Sequence, residues 1–362
     1  DGRDAFVRDL ADGTAGQNLT TVAMIDTGDA AAGPTATSTV AGWGGEVYAS
    51  TGAIYLASGE WDASGSVTRL FKFDLAPDGV PLAATGQVPG SILSQYSMDE
   101  SGGYFRVATN VWDAETGGQS NGVYVLGESG DKLEVVGSVT GIAKGESLRS
   151  SRFAGDRAYV VTFRQVDPLF SLDLSDPRDP QVTGEVKVPG FSSYLFPVSD
   201  TLLIGVGRDV DPDTQADEGL QVSLFDVSDP DAPKRVAAET LAGPFSYSEA
   251  EYEPHAFAYF ADERVMTLPL GPSYGGVVAV DGSTVGSAGG SASTDGSLLV
   301  VSVDPSKGAG AFEKLGEVAT PGGVRRAVRI DSTVFAVGDT HIRSAVLTDP
   351  ADVLDTVALS AG

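Results

Sequence analysis

Short apolar runs separated by glycine, proline and aspartate turns fill this chain from end to end. Six of them, each about six residues long, close on an acidic or glycine turn: FKFDLAPDGVP, VYVLGESGD, FSLDLSDPRDP, SLFDVSDPDAP, VVSVDPSKG and SAVLTDPAD. VAMIDTGDA, near the start, is a seventh. Anchored at Asp26, Asp74, Gly127, Asp173, Asp226, Asp304 and Leu347, the runs recur at steps of 48, 53, 46, 53, 78 and 43 residues. A recurrence of this length, built from strands and tight turns, predicts an array of small units that bury their apolar faces on one another.

Each unit resolves into four β-rich runs. The clearest has them at 148–153, 158–163, 169–174 and 181–188, and the next at 194–198, 201–207, 220–227 and 234–241. Similar quartets begin near Glu46, Gln95, His255 and Arg325. Gly, Pro and Asp punctuate the runs as they punctuate strands. Helices fit poorly, because the runs are short, β-branched and aromatic without three-and-four spacing. The predicted fold is all-β: a propeller of four-stranded antiparallel blades in a single domain over 1–362. Six quartets are preceded by a pair, 19–26 and 35–40, that reads as the outer two strands of another blade. Phe6–Arg8 is a candidate for part of its missing inner strands. Seven blades are expected, with eight as the alternative and with upstream strands outside this sequence as one source of the missing pair.

With strands named A to D from the inside of each blade, the A–B and C–D turns are short. The B–C connections, 59–66, 110–121, 208–219 and 271–296, are long, as are the D–A connections 141–147 and 243–254. Both sets leave the same end of a blade, so elaboration, and with it function, is expected on one side. The Gly/Ser-rich insertion 271–296 accounts for the 78-residue step and lacks the strand–helix context of a phosphate loop.

Composition narrows the partners. The 362-residue chain carries 50 Asp and Glu against 23 Lys and Arg, a net charge of -27. That field repels nucleic acid and anionic membranes and argues against both. No apolar run is long enough for a transmembrane helix. Cysteine is absent, which removes disulfides, thiol nucleophiles and Cys-based zinc sites. Scarce lysine on an acidic surface suits a salt-rich, extracellular or cell-surface setting.

Several side-chain groups are candidates for chemistry. The B–C connection RDVDPDTQADEG brings together Asp209, Asp211, Asp213, Asp217 and Glu218, hard oxygen donors of the kind calcium requires. The EF-hand pattern is incomplete there, with Thr214 in place of glycine and Leu220 in place of the bidentate glutamate. A solvated acidic loop is the competing reading. Arg164, Gln165 and Asp167 follow an apolar strand and either bind a ligand or lock the blade by hydrogen bonds. Glu249, Glu251, Tyr252, Glu253 and His255 fall together in SYSEAEYEPHAF, a Glu–His neighbourhood suited to acid–base work or metal binding. Only two histidines exist, His255 and His341, so a multi-histidine metal site is excluded. Trp61 and Trp112 stand in B–C connections, where they stack on a sugar or protein partner or pack beneath a loop. Paired carboxylates for glycoside cleavage are not distinguishable in so acidic a chain.

From Gly145 onward the motifs are long enough to be specific. GESLRSSRFAGDRAYVVTFRQVDPLFSLDLSDPRDP, VPGFSSYLFP, LQVSLFDVSDPDAPK and SYSEAEYEPHAF resemble bacterial and archaeal secreted proteins with a C-terminal β-propeller distantly related to WD40 repeats. VPGSILSQYSMDESGGYFRVAT and RRAVRI extend the resemblance over nearly the whole chain. It implies export and a propeller, and no reaction. Family members carry more propeller sequence before the point matching Leu19, which bears on the blade count. The expected function is a non-catalytic scaffold that binds an unknown protein or glycan partner through its B–C and D–A connections, with calcium as the one cofactor suggested. The alternatives are a glycan-directed hydrolase with carboxylates at the channel mouth, and a structural component of a cell-surface assembly.

Overall fold

The computed structural model describes residues 4–5, 19–41, 44–62, 65–113, 118–163, 167–244, 246–271 and 295–359. Two compact units divide the chain: Asp1–Arg164 with Phe170–Gly184, and Gln165–Leu169 with Glu185–Gly362. Strands β1 (Asp4–Ala5), β2 (Leu19–Ile25) and β3 (Pro34–Ala41) form a three-stranded sheet. A first quartet follows as β4 (Glu46–Ala49), β5 (Ala53–Asp62), β6 (Gly65–Asp74) and β7 (Leu82–Pro89), and a second as β8 (Met98–Ser101), β9 (Tyr104–Asp113), β10 (Gly118–Ser129) and β11 (Lys132–Ile142). The third is β12 (Ser147–Ala154), β13 (Arg157–Phe163), β14 (Asp167–Asp173) and β15 (Gln181–Val188). The fourth is β16 (Phe191–Ser199), β17 (Leu202–Val210), β18 (Asp217–Asp226) and β19 (Lys234–Ala242). The fifth comprises β20 (Ala258–Phe260), β21 (Val265–Leu270), β22 (Gly296–Val303) and β23 (Phe312–Thr320), and the sixth β24 (Arg326–Ile330), β25 (Thr333–Val337), β26 (His341–Val346) and β27 (Asp349–Ala358). Six antiparallel quartets in simple A–B–C–D order therefore stand where the sequence places them.

Burial explains the apolar runs. The third strand of a quartet is covered on both faces: β18 is buried from Gly219 to Phe225, and β10 from Asn121 to Leu126. Such a strand reads as a continuous apolar run rather than an alternating one. The outer strand β27 is exposed at all but one position. Core clusters form between consecutive sheets. Tyr55 and Leu70 pack with Phe105 and Leu126, Val123 with Leu148 and Leu172, and Val300 and Val318 with Val334 and Ala345. The first two quartets also meet edge to edge, where Thr85 and Gly86 of β7 pair in parallel with Lys132 and Leu133 of β11. Only glycine fits at 86, since a Cβ there would lie 2.5 Å from the Leu133 carbonyl oxygen.

The recurring aspartate has a local cause. Asp173, Asp226 and Asp304 at the ends of third strands, and Asp26 after β2, accept through Oδ1 the N–H two residues on, at 2.8–3.1 Å. These are Asx turns, which reverse the chain tightly after an extended segment. The SDP sequences repeat the device, with Asp176 accepting from Arg178 and Asp229 from Asp231. The residue after the anchor aspartate then donates its own N–H to the A–B turn of the same quartet, Leu75 to Gly52, Leu174 to Asp156 and Val227 to Thr201, and in the sixth quartet the anchor Leu347 itself donates to Ser332.

Donated hydrogen bonds hold the carboxyls of Asp173 and Asp226 below the ordinary aspartate range, chiefly from Ser175 and Ser228. Between the lowered and the ordinary value the unfolded chain binds protons that the folded chain does not. The stabilisation is therefore complete above the ordinary value and is lost as pH falls through the lowered one. Asp173→Ala and Asp226→Ala are each expected to cost about 1 kcal/mol, the worth of an exposed, screened hydrogen bond of this kind. Asparagine at either position keeps the acceptor, so it should retain most of the stability and lose its acid-dependent part. Denaturant unfolding at neutral and acidic pH reads both effects.

Three local features differ from the sequence reading. The B–C connections at 59–66, 110–121 and 208–219 are largely strand, because β5–β6, β9–β10 and β17–β18 continue as paired ribbons. Their polar residues satisfy each other's backbone groups, which needs no apolar run. The quartets expected near Gln95 and His255 begin at Met98 and Ala258, each after one 3-10 turn. There Ser94 accepts the Tyr96 N–H, and Glu253 accepts the His255 N–H ahead of Pro254. At the N-terminus, β1 pairs in parallel with β3, on the side away from β2. It therefore does not supply an inner strand beside β2, and Phe6–Arg8 lies outside the described residues.

Candidate functional site

In the second unit, the connection between β19 and β20 is held by a capping box. Ser248 accepts the Ala250 N–H, and the Glu251 carboxylate accepts the Ser248 N–H at 2.9 Å. That turn points Glu251 inward, where it is buried and lies 3.7 Å from the Arg208 guanidinium. Arg208 closes β17 and also donates to both carboxylate oxygens of Asp217 and to the Ser246 carbonyl. Burial is the largest influence on Glu251 and raises its carboxyl above the ordinary glutamate range, against the lowering by the Ser248 N–H and Arg208. One arginine thus ties the tip of the β17–β18 ribbon to the D–A connection beside it.

A second arginine bridge lines a cleft of about 170 Å³ in the same unit. Arg325 donates to both oxygens of Asp339 at 2.9 and 3.0 Å and to Glu249 at 3.0 Å. Its guanidinium holds the Asp339 carboxyl below the ordinary range. Tyr247, Gly271 and Gly322 complete the wall. Gly271 lets the Tyr247 ring lie against the backbone, since a Cβ there would fall 2.1 Å from that ring and displace it. Carboxylates tied in this way are acceptors, and Asp339 in particular is unsuited to donate a proton as a general acid.

The predicted candidates separate. Glu249 belongs to the Arg325 bridge, whereas His255 meets Glu253 at 2.6 Å on the surface, and that contact holds the Glu253 carboxyl below its usual range. Tyr252 is 81% exposed beside them. In the acidic segment, Asp211 accepts the N–H groups of Asp213 and Thr214 and the Thr214 hydroxyl, which holds it below the ordinary aspartate range. Asp217 pairs with Arg208, and Asp209 accepts from the Thr240 hydroxyl at 2.7 Å. Asp213 and Glu218 are exposed. These donors serve different protein partners, and among the described residues no group of three or more His, Asp or Glu is placed to hold a metal ion. The arrangement does not fit a calcium cage. Arg164 and Gln165 lie outside the described residues, as does the side chain of Asp167. Of 271–296, only Gly271, Asp295 and Gly296 are described.

The first unit places Trp61 and Trp112 at equivalent positions. Trp61 is the penultimate paired residue of β5, opposite Ser66, and Trp112 the penultimate paired residue of β9, opposite Gln119. Both are second strands of consecutive quartets, and the two side chains are 68% and 41% exposed. The ribbon tips adjoin, since a Cβ on Gly65 would lie 3.7 Å from the Trp112 carbonyl oxygen. Packing beneath a loop, the alternative role, is not what such exposure describes for Trp61.

Residues 9–349 match the family described as Beta propeller domain. The chain belongs to that family. Among curated proteins, this propeller is 40% identical over 187 residues to an uncharacterized protein of Methanocaldococcus jannaschii, covering 51% of the chain and 28% of the relative. It is 41% identical over 207 residues to an uncharacterized protein of Archaeoglobus fulgidus, covering 56% and 30%. The matched part is thus under a third of those relatives' length. Among solved structures, Sqt1 from Chaetomium thermophilum, alone and bound to the N-terminus of the ribosomal protein L10, covers 86% of each chain at a TM-score of 0.39 and 11% identity. Likeness that loose says nothing about ligands.

A propeller fits a scaffold or binding role, and no described helix is long and apolar enough to cross a membrane. Of the residues that organise the propeller's connections, Glu251 falls within the Glu–His neighbourhood marked in the sequence and Arg208 opens the acidic segment, whereas Arg325 and Asp339 belong to no sequence candidate. Ser248 and Glu251 do carry a legible signal, the Ser-x-x-Glu capping-box spacing. The arginine partners carry none, because each bridge joins segments distant in the chain.

Proposed function

We propose that this propeller is a non-catalytic binding scaffold, working outside the cell or at its surface, that engages a protein partner through its B–C ribbon tips. The observation that carries the reading is the repeated placement of exposed Trp61 and Trp112 at matching positions of two adjoining ribbons. Tryptophan in water on a highly charged surface is a liability unless something covers it, and it is among the residues most enriched at interface hot spots. Paired ribbons hold such anchors rigidly, which lowers the entropy lost on binding. The acidic, lysine-poor surface supports an extracellular setting and selects against anionic partners.

The test compares affinity for a partner captured from cell-surface extract. Trp61→Ser and Trp112→Ser are each expected to weaken binding by about 2 kcal/mol, roughly thirty-fold, the scale of a hot-spot truncation. Their thermal midpoints should stay unchanged. A double variant that binds as tightly as the parent contradicts the proposal.

A further inference from the structure

The first unit contains a larger cleft, about 470 Å³, among the first strands of three consecutive quartets and the 3-10 turn before β8. Its wall is apolar and aromatic, with Val47 and Tyr48 from β4, Tyr96 and Met98, and Phe153 from β12. Arg152 enters from β12, its guanidinium 4.9 Å from the centre of the Tyr96 ring. Its Nε is buried without a hydrogen-bond partner, and it has no ion pair with a described residue. The other charges at the cleft are already matched. Asp99 pairs with Arg106, which also donates to the Gly155 carbonyl at 2.7 Å. The second carboxylate of β8, Glu100, does not line the cleft, and its Oε2 is buried without a hydrogen-bond partner.

In a chain of net charge -27, a half-buried cation left without a carboxylate is the exception. Burying part of a guanidinium without a full set of acceptors costs free energy, and the face of Tyr96 offsets only part of it. A volume of this size with one unmatched polar group among aromatic walls has the character of a small-molecule site. We propose that this cleft binds a small carboxylate with an apolar or aromatic body. Arg152 takes the carboxylate through its fork of donors, and Tyr48, Met98 and Phe153 take the body. The site is separate from the tryptophan tips and stands or falls without them.

Met98 makes the proposal measurable, because the chain has only three methionines, Met24, Met98 and Met266. Met266 is fully buried in the second unit and serves as an internal control. With methyl-labelled methionine in the full chain, N-acetylphenylalanine is expected to shift the Met98 resonance saturably and leave Met24 and Met266 in place. Its uncharged amide should bind at least ten-fold more weakly, and Arg152→Gln should abolish the shift while Met266 stays unmoved. Arg152→Lys, which keeps the charge without the fork, should retain weakened binding. No Met98 shift at tens of millimolar probe, an equal response to the amide, or an undiminished response in Arg152→Gln overturns the proposal. If Arg152→Gln disturbs Met266, the acid-against-amide comparison on the parent protein decides alone.

Discussion

Arg208→Ala is expected to destabilise the second unit by about 3 kcal/mol, the scale of breaking a buried ion pair from one side. The arginine is the partner of Glu251, whose side chain is 4% exposed, and it also holds Asp217 and the Ser246 carbonyl. Without it, a buried carboxylate keeps only its capping contact to Ser248. Glu251→Gln on the same background removes the stranded charge and should recover part of the loss. The pH dependence follows from the raised carboxyl of Glu251. The folded state holds this proton more tightly than the unfolded state does, so between the ordinary and the raised value stability falls as pH rises. Losing Arg208 extends that window upward. The variant should therefore be less impaired near pH 5 than near pH 8. Hydrogen exchange over 243–257, together with calorimetric midpoints, measures the effect. An equal loss at both pH values would show that Glu251 is not the stranded group.

Phe105→Ala should cost the first unit about 4 kcal/mol, the range for a buried phenylalanine, with loss of an aromatic stack added. Phe105 is 1% exposed and stacks on Tyr55 at 4.1 Å between ring centres, with Tyr48 edge-on at 6.2 Å. It joins the second quartet to the first, so the cavity opens between quartets rather than within one. Phe105→Leu fills most of that volume and should cost well under half as much. All three tryptophans precede residue 164, so tryptophan emission during denaturation follows the first unit. An unchanged emission transition in Phe105→Ala would mean that this cluster does not support it.

The architecture was readable because its cause is local. A third strand covered on both faces needs an unbroken apolar run, and the turn after it needs an acceptor two residues before a free N–H. Both requirements print themselves on a short window, as in FSLDLSDPRDP and SLFDVSDPDAP. A ribbon paired to itself needs no apolar face, so in the B–C ribbons a stretch such as Gly-Glu-Trp-Asp looks like loop punctuation. The first sheet was legible as a pair of strands at 19–26 and 35–40, but the parallel partner of β3 was not, since two residues carry no pattern. At the candidate sites, the sequence pointed to residue types that cluster along the chain. Glu249 and His255 illustrate the weakness of that signal, because six residues of separation place them against different partners. Arg152 shows the converse. Nothing in RSSRF marks it, and its interest arises only from what surrounds it in space.

The most direct test of the binding-scaffold reading is position-specific photo-crosslinking in the native setting. A photoreactive phenylalanine replaces Trp61 or Trp112 at the ribbon tips, and Asp78 or Asp156 in turns at the other end of their own sheets. The account predicts one discrete protein adduct from positions 61 and 112, and none from 78 and 156. Adducts formed equally at all four positions, or only at 78 and 156, would contradict it.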